Sequence, residues 1–286
     1  MLNLERRTQN PERRTWNDEP GTTNLERSEY IPNRIDSVPR PRFYAPGLDP
    51  SRGEVVLSSD ESHHLVRVMR LIAGDEIAVF DGNGREYHAR VVRADRNAAS
   101  VALGDPVATA PEPAVKTTLV QAVLKGDKMD GVVRDATMAG AASIVPIVTG
   151  RSLVGLGLLG RSRAQERWRR VAVASAKQCR RARLPAIEPP QGFREWLGGP
   201  FEGLRLLLVE PSADAPAVVP LRAALAGPAP PAIACIVGPE GGWSADERNA
   251  AVETGCVPTS LGEMTFRADA VGLVAVSLLN FVYGDR

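Results

Sequence analysis

The stretch Ile236-Val-Gly238-Pro-Glu240-Gly241-Gly242-Trp-Ser244-Ala-Asp-Glu247 runs from an apolar strand through a glycine turn directly into a helix. Ser244 and Glu247 stand at the spacing of a capping box, which specifies the helix start. The three glycines permit positive φ and clear side chains away, so that a ligand can approach the main chain. A tight strand-to-helix turn alone needs one such glycine, at most two. The surplus points to a bound ligand.

Working outward from this turn, the pattern alternates between strand and helix. Apolar runs predict strands at 117–124, 143–148, 204–209 and 232–237. Helical spacing predicts helices at 128–139, 163–182, 245–254 and 268–281. Trp168, Val171, Ala172, Ser175 and Cys179 form one stripe of the second helix, flanked by arginines. Strands alternating with helices imply an α/β fold, a mainly parallel sheet covered on both faces. Ligands of such sheets sit beyond the carboxyl ends of the strands, here after Val237 and around Leu261.

Upstream, the pattern changes. From 42 to about 107 the chain reads as a small β-rich unit, with a helix at 60–70 and the hairpin signal Asp81-Gly-Asn-Gly after Ile77-Ala-Val-Phe80. Two prolines in Thr109-Ala-Pro-Glu-Pro-Ala114 mark a linker. Residues 1–39 are polar and aperiodic, and too poor in apolar residues to offset ordering entropy, so a disordered extension is expected there. The domain plan is therefore 1–39 extension, 40–108 β unit, 109–114 linker and 115–286 α/β domain.

Composition narrows the function class. The 286 residues carry a formal net charge of +1, so no whole-molecule field announces a polyanion. Arginine dominates the basic residues, with lysine only at Lys116, Lys125, Lys128 and Lys177. Cys179, Cys235 and Cys256 lie far apart, and with His63, His64 and His88 they offer no zinc spacing. No metal is expected. The longest apolar run is too short to span a bilayer, and no basic-then-apolar leader is seen, so a cytoplasmic protein without a membrane partner is expected. Gly155-Leu-Gly157-Leu-Leu-Gly160 matches a dinucleotide pattern, but no adequate strand leads into it, and a loop is expected instead.

Taken together, several segments resemble the bacterial 16S ribosomal RNA uracil-N3 methyltransferase family, in the SPOUT class of knotted methyltransferases. They are the glycine turn, Ser260-Leu-Gly262 with Arg267, Arg42-Phe-Tyr44, His63-His-Leu-Val-Arg67-Val-Met-Arg70, Lys125-Gly-Asp-Lys128-Met-Asp, and Arg181 through Pro185. The match is collinear from about 42 to 283. The resemblance implies an N-terminal PUA-like RNA-binding barrel and a C-terminal α/β domain tied in a trefoil knot. It also implies a homodimer, and S-adenosylmethionine bound largely by main chain of Gly238, Glu240, Gly241, Gly242, Leu261, Gly262, Thr265 and Phe266.

The expected substrate is 16S ribosomal RNA, free or in the 30S subunit. Arg267 is the candidate for stabilising negative charge on the uracil ring, and Asp269 for orienting that arginine. RNA contacts are expected from Arg42, Arg67, Arg70, Lys125, Lys128 and Arg181. Met264, Asp269 and Ala270 depart from the residues usual in the family, and Met264 and Ala270 leave open an RNA-binding relative that has lost catalysis. A second alternative, a nicotinamide-dependent oxidoreductase, rests on the Gly155–Gly160 pattern.

Overall fold

The computed structural model describes residues 40–210 and 218–284; the expected extension at 1–39 lies outside the described residues. The chain opens with β1 (Arg42–Tyr44) and β2 (Glu54–Val56), then α1 (Ser59–His63). Strands β3 (Glu76–Phe80), β4 (Glu86–Arg93) and β5 (Ser100–Pro106) complete a five-stranded sheet in the order β1-β3-β4-β5-β2. The hairpin read from Asp81-Gly-Asn-Gly is present, with Phe80 opposite Glu86. Phe43, Leu65, Ile77, Val79 and Val101 fill the core of this unit. The helix expected over 60–70 is shorter: after His63 the chain widens into a π turn over His64–Val68, and Arg70 ends it at φ 56°.

The second sheet is built from parallel pairs. It begins with β6 (Lys116–Ala122), α2 (Lys128–Met138), β7 (Ser143–Val148), α3 (Leu156–Arg161) and α4 (Ala164–Cys179). Short strands β8 (Ala186–Ile187) and β9 (Gln191–Gly192) precede α5 (Phe193–Gly198) and β10 (Leu204–Leu208). Then come β11 (Val219–Pro220), α6 (Leu221–Ala224), β12 (Ala232–Val237), α7 (Ala245–Glu253), β13 (Val257–Ser260) and α8 (Ala268–Tyr283). The order is β11-β13-β10-β12-β6-β7-β8, with β9 beside β7.

Alternation along the strands explains why both faces are covered. Leu119, Ile144, Leu206 and Ile233 belong to one buried cluster with residues of α2, α4 and α8, while Val120, Val145, Leu207 and Ala234 belong to another with residues of α5 and α7. Gly272 of α8 has no room for a side chain: a Cβ there would lie 2.9 Å from Leu119, so the helix rests directly on β6.

Two expectations are corrected. The Gly155–Gly160 stretch is not a loop but enters the short helix α3, because Leu159 buries against the core. The strand Val257–Ser260 was not foreseen: with Pro258 in it and only four residues, it carries no period-2 signal. It nonetheless pairs on both sides, with β11 and with β10, where Leu207 stands opposite Pro258.

The two units are locked together. Arg42 on β1 bonds Glu86 on β4 and the carbonyl oxygens of Ala176, Lys177 and Arg181 at the end of α4. The segment after α4 pairs along the hairpin turn, Leu184 N–H donating to Gly82 at 2.9 Å and Gly84 N–H to Ala182 at 3.2 Å. Gly82, at φ +78°, leaves no space for a side chain against Tyr44 and Leu184. Phe80, Ala176 and Ala182 form a small apolar cluster across this junction.

Candidate functional site

A cleft of about 560 Å³ opens beyond the carboxyl ends of β10, β12 and β13. Its walls are the loop after β12 and the segment between β13 and α8. Every residue expected to hold the donor lines it: Gly238, Glu240, Gly241, Gly242, Leu261, Gly262, Thr265 and Phe266, together with Arg267 and Asp269.

The glycines have separate causes. A Cβ on Gly238 would lie 3.0 Å from the Trp243 ring, which is itself buried, stacked obliquely on Phe193, and donates its indole N–H to Leu208 at 2.9 Å. On Gly241 a Cβ would come within 3.3 Å of Arg151. Gly242 and Gly262, at φ +67° and +136°, have conformations that L residues avoid, and open space where a side chain would stand. The main chain is therefore bare where it meets the cleft.

The loop is also braced. The capping box is present, with Ser244 Oγ accepting from Glu247 N–H at 3.2 Å and Glu247 Oε2 accepting from Ser244 N–H at 2.9 Å. The other oxygen of the buried Glu247 accepts from Gly150 N–H at 2.8 Å. That contact ties the turn after β7 to the glycine loop. From the same turn, Arg151 donates to the Gly241 carbonyl at 2.8 Å.

Charged groups at the cleft are mostly paired. Lys128 Nζ, at the start of α2, lies 2.9 Å from Glu240. Burial tends to raise the Glu240 carboxyl, but the hydrogen bond and charge of Lys128 more than offset this and hold it below its ordinary value. Arg267 Nε and Nη2 donate to the two oxygens of Asp269 at 3.0 and 2.9 Å. These hydrogen bonds keep the Asp269 carboxyl below its usual range, against a weak opposing effect of burial. Asp269 is thus a hydrogen-bond acceptor for both donating nitrogens of Arg267, with its ionised form favoured. The guanidinium stays largely open to solvent, 75% exposed, at the mouth of the cleft.

The six expected RNA residues divide. Arg67, Arg70 and Lys125 are exposed. Lys128 lines the cleft instead. The expectation for Arg42 and Arg181 is corrected, since both are buried with every N–H occupied. Arg42 serves Glu86 and three carbonyls. Arg181, 5% exposed, serves Glu112 and the carbonyls of Thr137, Gly140 and Ala141. A guanidinium has five N–H donors, and none is left for a phosphate. Arg151, part of the Arg151-Ser152 segment that also carries the family resemblance, and Arg248 line the cleft besides. Arg248 was not singled out in the sequence; the signal was its position on the first turns of the capped helix. Among the described residues no group of three or more His, Cys, Asp or Glu side chains could hold a metal ion, and no helix is long and apolar enough to cross a membrane.

A parallel sheet opening on a bare-backbone cleft, with a small β unit fixed to its side, defines a two-part α/β ligand-binding protein. The chain matches the model of an RNA methyltransferase domain over residues 111–280 and that of an RNA methyltransferase PUA domain over 57–103. It is 33% identical to ribosomal RNA small subunit methyltransferase E of Synechocystis over 230 residues, covering 79% of this chain and 72% of that one. Among solved structures it is similar to a methyltransferase of Legionella pneumophila with bound S-adenosylmethionine, at TM-score 0.76 and 27% identity, covering 86% of this chain and 98% of that one. It is also similar to ribosomal RNA small subunit methyltransferase E of Neisseria gonorrhoeae bound to S-adenosylmethionine, at TM-score 0.73 and 27% identity, covering 85% and 98%. The chain belongs to the ribosomal RNA small subunit methyltransferase E family of RNA methyltransferases.

Proposed function

We propose that this chain methylates N3 of a uridine in 16S ribosomal RNA, in the free RNA or the 30S subunit, with S-adenosylmethionine as donor. The observation that carries the reading is the meeting of two glycine segments and the Arg267–Asp269 pair in one cleft at the carboxyl edge of the sheet. Two relatives of this fold were solved with that donor bound.

The residues present fit such a ligand. Bare main chain at Gly242 and Gly262 leaves room for a large planar group to lie close, and the backbone of Gly238, Glu240, Gly241, Leu261, Thr265 and Phe266 can read its polar edges. When bound, the donor supplies a methyl group activated by a positive sulfur. The chain positions N3 of the uracil in line with that methyl, a contribution of several kcal/mol. The N3 proton leaves to solvent, the N–CH3 bond forms as the S–CH3 bond breaks, and charge on the ring oxygens falls to Arg267. Asp269 holds Arg267 in place.

Residues 40–108 serve as the RNA-binding domain and 115–286 as the methyltransferase domain, with Arg67, Arg70, Lys125 and Lys128 toward RNA. A homodimer is supported by the apolar side chains on α8 left outside the fold, Phe281 at 81% exposure among them. The knot is supported by α8, which follows β13 near one side of the sheet yet returns to pack on β6 at its middle. The protein acts in the cytoplasm, where ribosomes are assembled.

The test is isothermal titration with S-adenosylmethionine together with transfer of labelled methyl to small ribosomal subunits. Binding and transfer are expected. Binding without transfer identifies an RNA-binding relative without catalysis, a reading that Met264, 80% exposed at the cleft where the family usually has arginine, keeps specific.

A further inference from the structure

A second hollow, of about 700 Å³, lies between the small β unit and α4, lined from both. Its apolar surface comes from Tyr44, Pro46, Met69, Val173 and Ala174, over the buried Phe43. Ser58, His64 and Gln178 are the neutral polar groups among charged neighbours. At its base the Lys177–Glu61 ion pair, 2.8 Å long with both side chains under 20% exposed, fixes α4 to α1. The groove is therefore preformed by the same contacts that lock the two units.

Its rim is cationic in a particular way. Arg169 and Arg170 of α4 line the groove, are exposed, and have neither an ion pair nor a side-chain hydrogen bond among the described residues. Arg67 and Arg70, near the lining residue Met69 in sequence, are exposed as well. By contrast Arg42, Arg167 and Arg181 nearby are paired with Glu86, Asp130 and Glu112. Among the lining carboxylates, Glu61 is neutralised by Lys177, leaving Asp60.

An apolar floor with tyrosine and methionine, the polar side chains of His64 and Gln178, and two exposed guanidiniums on the rim match one chemistry. They match a nucleobase laid on a side-chain platform with its phosphates outside. A protein segment would be expected to bring carboxylates for the two arginines; RNA brings phosphates as its backbone. We propose that the groove between the β unit and α4 holds an unstacked nucleotide of single-stranded RNA, and that Arg169 and Arg170 contact its flanking phosphates. This rests on the RNA methyltransferase reading, and assigns a second nucleotide of the RNA, not the target uridine, to a surface distinct from the donor cleft.

The experiment measures affinity for a transcript of small-subunit ribosomal RNA by fluorescence anisotropy over a salt series, using the full chain. Three proteins are compared: wild type, Arg169→Ala/Arg170→Ala, and Ala174→Trp, which fills the groove from an exposed helical position. The double variant is expected to bind about tenfold more weakly, with a salt slope smaller by roughly 1.4 for two lost phosphate contacts. Ala174→Trp is expected to lose about tenfold with the salt slope unchanged, since it blocks stacking alone. Donor affinity by calorimetry stays at the wild-type value in both, which also establishes that they fold. RNA affinity unchanged in both variants overturns the groove while leaving methyl transfer standing. A change of oligomeric state in Ala174→Trp, seen by sedimentation without loss of RNA affinity, makes the groove a contact between copies and equally overturns it. Failure of the wild type to bind RNA defeats the parent reading and the groove with it.

Discussion

The guanidinium of Arg42 grips the carboxylate of Glu86 at two points, 2.8 and 2.7 Å, with both side chains 7% exposed. The same guanidinium caps the carbonyls at the end of α4. One residue of the first strand thereby ties the small β unit to the end of α4.

Arg42→Ala is expected to destabilise the fold by about 3–5 kcal/mol, because it strands a buried carboxylate and three carbonyls. Urea unfolding measures this. Arg42→Met with Glu86→Leu is expected to recover much of the loss in stability, since neither charge is then buried alone. Arg42→Lys is expected to fail, because an ammonium cannot reproduce the forked contact.

This arginine also shows where sequence reading stops. Arg42, Arg67, Arg70 and Arg181 look alike in a string of letters. Arg67 and Arg70 are exposed, whereas the burial of Arg42 and Arg181 is decided by Glu86 and Glu112, 44 and 69 residues away, and by carbonyls at helix ends. By contrast the glycine turn was legible because its chemistry is local: strand, turn, cap and helix sit within twelve consecutive letters, and all four are present as expected. The strand at Val257–Ser260 was not legible, because a proline and two hydroxyl residues mask a segment made strand-like by its neighbours on either side. Helix α3 was hidden by its two glycines and a third at its N-cap, weak helix formers held by the burial of Leu159.

Glu247 joins the cap of α7 to the turn that carries Arg151, accepting from Ser244 and Gly150. Glu247→Ala is expected to lower stability by about 1–2 kcal/mol, as two part-buried N–H groups lose their acceptor. It is also expected to weaken donor binding, because Arg151 no longer steadies the Gly241 carbonyl. Ser244→Ala removes the cap alone and is expected to cost about 1 kcal/mol with a smaller effect on the donor. Thermal unfolding and calorimetry separate the two.

Gly242 at φ +67° faces open space, so Gly242→Ala strains the backbone without a clash, at about 1–2 kcal/mol. Gly241→Val instead meets Arg151 and narrows the cleft. It is expected to abolish S-adenosylmethionine binding while the circular dichroism spectrum remains that of the wild type. Unchanged donor affinity in Gly241→Val removes this loop from the site.

Asp269 has its carboxyl pulled below the ordinary value by the Arg267 hydrogen bonds. A group depressed on folding stabilises the native state above its unfolded value, near pH 4, and loses that contribution as pH falls through the folded value. Between about pH 6 and 9 it is ionised throughout and shapes no limb of the rate profile. Asp269→Asn is therefore expected to lower kcat by loosening Arg267 while the profile keeps its form. Loss of a rising limb in the variant would instead make Asp269 the proton acceptor.

The most direct test of the account is mass spectrometry of nucleosides from small-subunit ribosomal RNA treated with the protein and S-adenosylmethionine. The RNA should come from a strain lacking the gene. The account predicts one new product, 3-methyluridine, absent with Arg267→Ala. Methylation at another atom or base, or none with the donor bound, contradicts it.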